Sequence, residues 1–310
     1  MIKTPFLLGL AALIAAAPCA PAAALSLYVI DGSANSVFSA NLDGTGLSTV
    51  TPIQQFSSAF GLTASGSTLY WSMPTVPQIQ SYDMSTGTLT PSLVSTDGPY
   101  GITATSSNLY WVDALDDSLF RSGLDGSNRT ALITQTGLPS GDYITDPSGI
   151  AVTDSAIYWS DVAKHQILKA SLDGTGVQLL VSDSSITPVN LAVTGTNIYW
   201  TDQNGAIKRS DLNGSNVVDV VTGLLSPSGI ALTDSLIYWT DSSAGDVQSI
   251  DINRVGATAS DATTVIASGS GLESPAGLVI ATAVPEPATV ILASVGVGFV
   301  LFCTSRRRRA

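Results

Sequence analysis

Side chains suited to acid–base, nucleophilic or metal chemistry are few in this 310-residue chain, which has one histidine, His165, and two cysteines. From residue 25 to residue 283 there is a single glutamate, Glu273, against 22 aspartates. A general base needs an orienting partner and a concave site. His165 stands in Val162-Ala163-Lys164-His165-Gln166, the turn just after a YWSD strand, where a lone His beside a Lys reads as a solvated surface residue. Metal-assisted or lyase chemistry needs several Glu, His, Asn or Asp converging on one point. With one His and one Glu, the sequence predicts no catalytic residue, no metal and no cofactor. Asp43-Gly44-Thr45-Gly46 and Asp173-Gly174-Thr175-Gly176 resemble ion loops. A helix–loop–helix calcium site, however, needs carboxylates at alternate positions and a distant Glu. Asp-Gly supplies the positive φ of a tight hairpin, which accounts for both segments. The glycosylation-type triplets at Asn128 and Asn213 fall on the same kind of turn.

Charge excludes one class of partner. Residues 25–283 hold seven basic and 23 acidic side chains, a net charge of −16. Such a surface repels phosphate backbones and argues against nucleic acid. Cys19 and Cys303 both lie in the apolar ends, so this body has no disulfide and no thiolate site.

The ends read as addresses. Lys3, an apolar run from Pro5 to Ala17 and the small residues Ala22-Ala23-Ala24 have the three-part pattern of a secretory signal (residues 1–24), cut after Ala24 with Ala22 completing the A-x-A site. Pro18 before Cys19 disfavours a lipoprotein signal. At the other end (residues 284–310), Val284-Pro285-Glu286-Pro287 precedes 17 mostly apolar residues, Ala288 to Thr304, then Ser305 and Arg306, Arg307, Arg308 and Arg309. Seventeen helical residues span about 26 Å, enough to cross a bilayer core. The arginines stay cytoplasmic and hold the body outside the inner membrane. This order of Pro-Glu-Pro, apolar span and basic terminus resembles the PEP-CTERM sorting signal of Gram-negative bacteria. The resemblance implies an exosortase as processing partner, cleavage near Pro285-Glu286-Pro287, and delivery to the surface of an exopolysaccharide-making cell.

Between the ends one phrase recurs: YVID at Tyr28, YWSM at Tyr70, YWVD at Tyr110, YWSD at Tyr158 and YWTD at Tyr199 and Tyr238, spaced 42, 40, 48, 41 and 39 residues apart. It contains all five tryptophans, Trp71, Trp111, Trp159, Trp200 and Trp239. A second phrase keeps step as FGLTA at Phe60, PYGITA, PSGIAV, PVNLAV, PSGIAL and PAGLVI at Pro275, and Asp-Gly or Asn-Gly turns punctuate the units. A period near 40 with four short strands per unit predicts an all-β propeller over residues 25–283. Strands apolar on both faces need a neighbour on each side, which a ring provides. The sixth second phrase, after the last Tyr-Trp unit, should return to the blade begun by Tyr28. That closes a ring of six blades from both termini.

PSGIAV, YW[ST]D and SLDGTG resemble the YWTD propeller, the class B repeat of the low-density lipoprotein receptor family, weakly in the first two units, where Val29 and Met73 replace Trp and Asp. The resemblance implies that Tyr and Trp wedge between blades. It implies that Asp31, Asp113, Asp161, Asp202 and Asp241 tie one blade to the next, and that one ring face binds proteins. The long spacing comes from Thr136–Pro147, with Tyr143, which should share a face with the turns holding Asp116, Asp117, Lys164 and His165. Those residues are the candidate binding face. The sequence favours an exported, non-catalytic propeller that binds a protein or polysaccharide. The competing readings are an extracellular lyase or lactonase and a structural matrix spacer.

Overall fold

The computed structural model describes residues 24–52, 59–134 and 144–282. The expected signal helix and membrane helix fall outside them. Among the described residues no helix is long and apolar enough to cross a membrane.

Six antiparallel sheets form six blades, each with four strands from the axis outward. Blade 1 is Pro275–Thr282, Leu25–Asp31, Ser36–Asn41 and Ser48–Pro52. Blade 2 is Leu62–Ser65, Thr68–Met73, Gln78–Asp83 and Thr88–Ser95. Blade 3 is Pro99–Ala104, Asn108–Asp113, Ser118–Gly123 and Thr130–Thr134. Blade 4 is Pro147–Val152, Ala156–Asp161, Gln166–Ser171 and Gln178–Ser182. Blade 5 is Pro188–Val193, Asn197–Asp202, Ala206–Asp211 and Val218–Thr222. Blade 6 is Pro227–Leu232, Leu236–Asp241, Asp246–Asp251 and Thr263–Ile266. The third-to-fourth connection of blade 6 is long, and its Ala257–Thr258 adds a short parallel strand to the outer edge of blade 5. The ring closes as the repeat predicts, with the last strand lying antiparallel to the first, from Leu25↔Thr282 to Asp31↔Pro275.

All five tryptophans are fully buried. Apolar clusters lie between blades rather than within them: Trp159 and Leu168 of blade 4 pack with Val112, Leu119 and Ile133 of blade 3. This is why the Tyr-Trp strand is apolar on both faces, since each face is a separate interface.

Blades approach closely where the phrases place glycine. A Cβ on Gly149 would lie 2.5 Å from the Val189 carbonyl oxygen and 2.6 Å from the Asn190 Cα of the next inner strand. Gly44, at φ +82°, would place a Cβ only 1.8 Å from the Val265 carbonyl oxygen of blade 6. The Asp-Gly turn is therefore also a blade-to-blade contact.

The third letter of the Tyr-Trp phrase carries a tie that the sequence reading missed. The Gly149 N–H donates to Ser160 Oγ at 2.8 Å, and Ser160 Oγ donates to the Val189 carbonyl of blade 5 at 2.8 Å. Thr201 links the Asn190 N–H to the Ser228 carbonyl, and Thr240 links the Gly229 N–H to the Ala276 carbonyl. Ser72 links the Gly61 N–H to the Tyr100 carbonyl. Each of these four hydroxyls, fully buried, satisfies an N–H that the sheet leaves over and spends its own proton on the next blade. Ser160→Ala orphans a buried donor and acceptor together. It should cost about 2–3 kcal/mol in urea unfolding, whereas Ser155→Ala on an exposed turn should cost nearly nothing.

Candidate functional site

The ring has two faces. The crossover face carries the passages from each outer strand to the next inner strand, together with the second-to-third turns. The opposite face carries the other turns. Leu25 and Thr282 pair there, so the chain beyond Thr282 leaves from it; it is the tail face.

The phrase aspartates sit at the crossover face. Asp31 Oδ2 accepts the Glu273 and Ser274 N–H groups at 2.7 and 2.9 Å, and its Oδ1 accepts Ala34 N–H at 2.9 Å. Asp113 takes the Thr96 hydroxyl and the Asp97, Leu115 and Asp116 N–H groups. Asp161 holds Thr145 and Lys164, Asp202 holds Thr187 and Asn204, and Asp241 holds Leu225, Ser226 and Ala244. Each carboxylate thus fastens the passage arriving from the previous blade to a turn of its own blade. Their lone pairs are committed to backbone rather than aimed at solvent.

The neighbouring indoles follow the same register. Trp71 Nε1 donates to Gln80 Oε1 at 3.1 Å and Trp111 Nε1 to Thr96 Oγ1 at 3.3 Å. In blades 4, 5 and 6 the Thr96 position is Ile144, Ile186 or Leu224, and the indole N–H of Trp159, Trp200 and Trp239 has no hydrogen-bond partner.

Asp116 and Asp117 lie on the blade 3 turn and Lys164 and His165 on the equivalent blade 4 turn, all on the crossover face; Tyr143 lies outside the described residues. His165 is a correction. It is half-buried, with backbone φ +55°, and its Nδ1 lies 2.5 Å from the Ile186 carbonyl oxygen, so its ring pins the passage into blade 5. The bland reading failed because turn composition does not reveal that the next passage lies within reach. Leu115, 75% exposed, stands beside Asp116.

Carboxyl shifts run in both directions, and on the crossover face the Ser185 N–H and hydroxyl lower Asp183. Burial, with Asp113 and Asp97 nearby, raises the Asp116 carboxyl above its ordinary value, and burial with Asp161 and Asp146 raises Asp117. Burial also raises Asp146, Asp161 and Asp246. On the tail face, the turn's own hydroxyl and N–H lower Asp43, Asp125 and Asp173, and bring Asp83 down to about 2. A raised carboxyl binds its proton first in the folded state, so its contribution to stability grows as pH falls from neutral through its raised value to about 3.8. A lowered carboxyl stabilises above about 3.8 and loses that contribution as pH falls through its folded value. Thermal stability should therefore rise as pH falls from neutral toward about 3.8 and drop again below it, as the lowered carboxyls bind protons. Stability falling steadily from pH 7 to 5 would contradict these shifts.

The axial channel, about 270 Å³, is walled by the inner strands, with Leu62, Ile102, Ile150, Leu191, Ile230 and Leu278 among its residues. Its polar side chains are Thr63, Thr103 and Asn190, and Asn190 Oδ1 already accepts the Leu191 N–H at 3.0 Å. Two hydroxyls and one committed amide do not fit a divalent cation, which needs several oxygen ligands with carboxylates among them. No group of three His, Cys, Asp or Glu among the described residues is placed to hold a metal.

A cleft of about 940 Å³ opens on the tail face between blades 6 and 1, lined by Leu25, Leu42, Leu236, Tyr238, Val265 and Ile280 among others. At this edge of blade 1 the first and second strands, Pro275–Thr282 and Leu25–Asp31, come from opposite ends of the propeller and pair at Leu25↔Thr282. Sequence periodicity gave no sign of this cleft.

Comparison with family models matches residues 96–284 to the SMP-30/gluconolactonase/LRE-like region and residues 283–309 to the PEP-CTERM protein-sorting motif. Comparison with curated proteins gives no match. Among solved structures, a chain of a nidogen/laminin complex superposes with TM-score 0.71 at 19% identity, over 83% of this chain and 98% of that one. That likeness is one of fold, the YWTD-type six-bladed propeller.

Proposed function

From the premise that the chain belongs to the SMP-30/gluconolactonase/LRE-like family and ends in a PEP-CTERM sorting motif, we propose that it is an exported propeller that binds a protein or polysaccharide without catalysis. One observation carries the reading: the channel wall, where a propeller hydrolase would gather its ligands, offers two threonines and an asparagine. Fold does not transfer function, so lactonase chemistry has to be found in the site, and these residues do not supply it. The tail supports export, passage through the inner membrane and processing by an exosortase near Pro285-Glu286-Pro287. A tail leaving one face leaves the other, with Asp116, Asp117, Lys164 and His165, turned away from the membrane as the binding surface.

The test is capture of extracellular polysaccharide and surface proteins by the full chain, beside Asp116→Lys with Lys164→Glu on the crossover face and Asp154→Lys on the tail face. Charge reversal on the crossover face should weaken capture about tenfold with unchanged melting. Loss through the tail-face variant alone would contradict the assignment. Co-expression with an exosortase should shorten the chain and release it to the surface; full-length protein kept in the inner membrane would reject the processing claim.

The second reading, an extracellular lactonase, is favoured by the family match itself. It requires a ligand set that the described residues lack. A matrix spacer predicts no capture by any variant.

A further inference from the structure

We propose that the tail-face groove of blade 6 seats the start of the sorting segment, with Val284 and Pro285 in its apolar part and Glu286 on Arg254. Three observations meet there. The described chain ends at Thr282, two residues past Ile280, which walls the 940 Å³ cleft opposite Leu236. An adjoining cleft of about 480 Å³ shares Leu236, Ser249 and Thr263 with the first and reaches Arg254 and Asp261. Leu25, Leu42, Leu236, Val265 and Ile280 make the first cleft apolar, and the next residues in the sequence are Ala283, Val284 and Pro285.

Charge sets the direction. Arg254 is exposed and, among the described residues, is the one basic residue lining either cleft; Glu286 is the one acid beyond residue 283. Arg254 meets Asp261 at 3.5 Å with both side chains about half exposed, a geometry that leaves guanidinium donors for a second carboxylate. Four residues separate Glu286 from Thr282, about 14 Å of extended chain.

A seated segment holds Pro285-Glu286-Pro287 against the propeller, so that the body itself governs access to the motif. The docking stands whether or not an exosortase cuts the motif, and its test does not use cleavage. In full-length protein with Cys19→Ser and Cys303→Ser, Val284→Cys is paired with Leu236→Cys, with Leu42→Cys, or with Gly195→Cys on a distant turn of the same face. A disulfide requires Cβ atoms about 4 Å apart. The proposal expects an intramolecular bond to Cys at 236 or 42 at least fivefold above that at 195, read by peptide mass under non-reducing conditions. Arg254→Glu should cut that yield severalfold, and Glu286→Arg added to it should restore it. Equal yields at all three positions, no bond at all in protein that melts normally, bonds only between two copies, or failure of the charge swap would each overturn the proposal.

Discussion

Asp31→Ala should lower the unfolding free energy by about 3–6 kcal/mol. The carboxylate is fully buried and accepts three backbone N–H groups, two of them 242 and 243 residues away in sequence. Removing it orphans all three donors, each costing about 1–2 kcal/mol. Two of those donors belong to the passage that delivers the closing strand. For a domain of this size the loss corresponds to roughly 10–20 °C in melting temperature. Asp31→Asn keeps one accepting oxygen and should fall between. A midpoint for Asp31→Ala within 2 °C of the parent would remove the carboxylate from the closure.

Gly149→Val should be nearly as damaging, for the opposite reason. A Cβ there meets the Val189 carbonyl oxygen and the Asn190 Cα inside van der Waals distance, and both are backbone. Relief requires the inner strands of blades 4 and 5 to separate, which also stretches the Ser160 tie between them. Overpacking of this kind costs about 3 kcal/mol or more. At Gly195 no atom lies within 4 Å of an added Cβ, so Gly195→Ala should be nearly silent. Urea midpoints of the two variants separate steric crowding from a general intolerance of glycine replacement.

The two effects show which parts of the molecule were legible beforehand. The blade number and the returning strand were, because tryptophans every 40 or so residues and an unpaired sixth Pro-Gly phrase leave one closed arrangement. The aspartates were assigned to blade ties by resemblance. The geometry divides the work: Asp31 and its equivalents hold the arriving passage, while Ser72, Ser160, Thr201 and Thr240 span to the next blade. The signal for the hydroxyls was present, since Ser or Thr fills the third letter in four of six phrases. It was missed because Ser and Thr are too common in this chain to stand out.

His165 and the seam cleft were illegible for different reasons. The ring of His165 finds its partner at Ile186, across a passage whose path no local pattern encodes. The cleft lies beside the blade whose two inner strands come from opposite ends of the propeller, and a repeat analysis sees only what recurs. Asn190, at the glycine position of the fifth inner phrase, is a departure visible in the sequence as PVNLAV. It supplies the channel with its one amide.

The central claim is that this propeller binds and does not catalyse. Its most direct test is hydrolysis of a panel of aldonolactones by the purified protein, with calcium, zinc or manganese at millimolar concentration and with a chelator. The account predicts no turnover above buffer under any condition and no change in melting temperature with any of the metals. Metal-dependent turnover that is abolished by Asn190→Ala would contradict it.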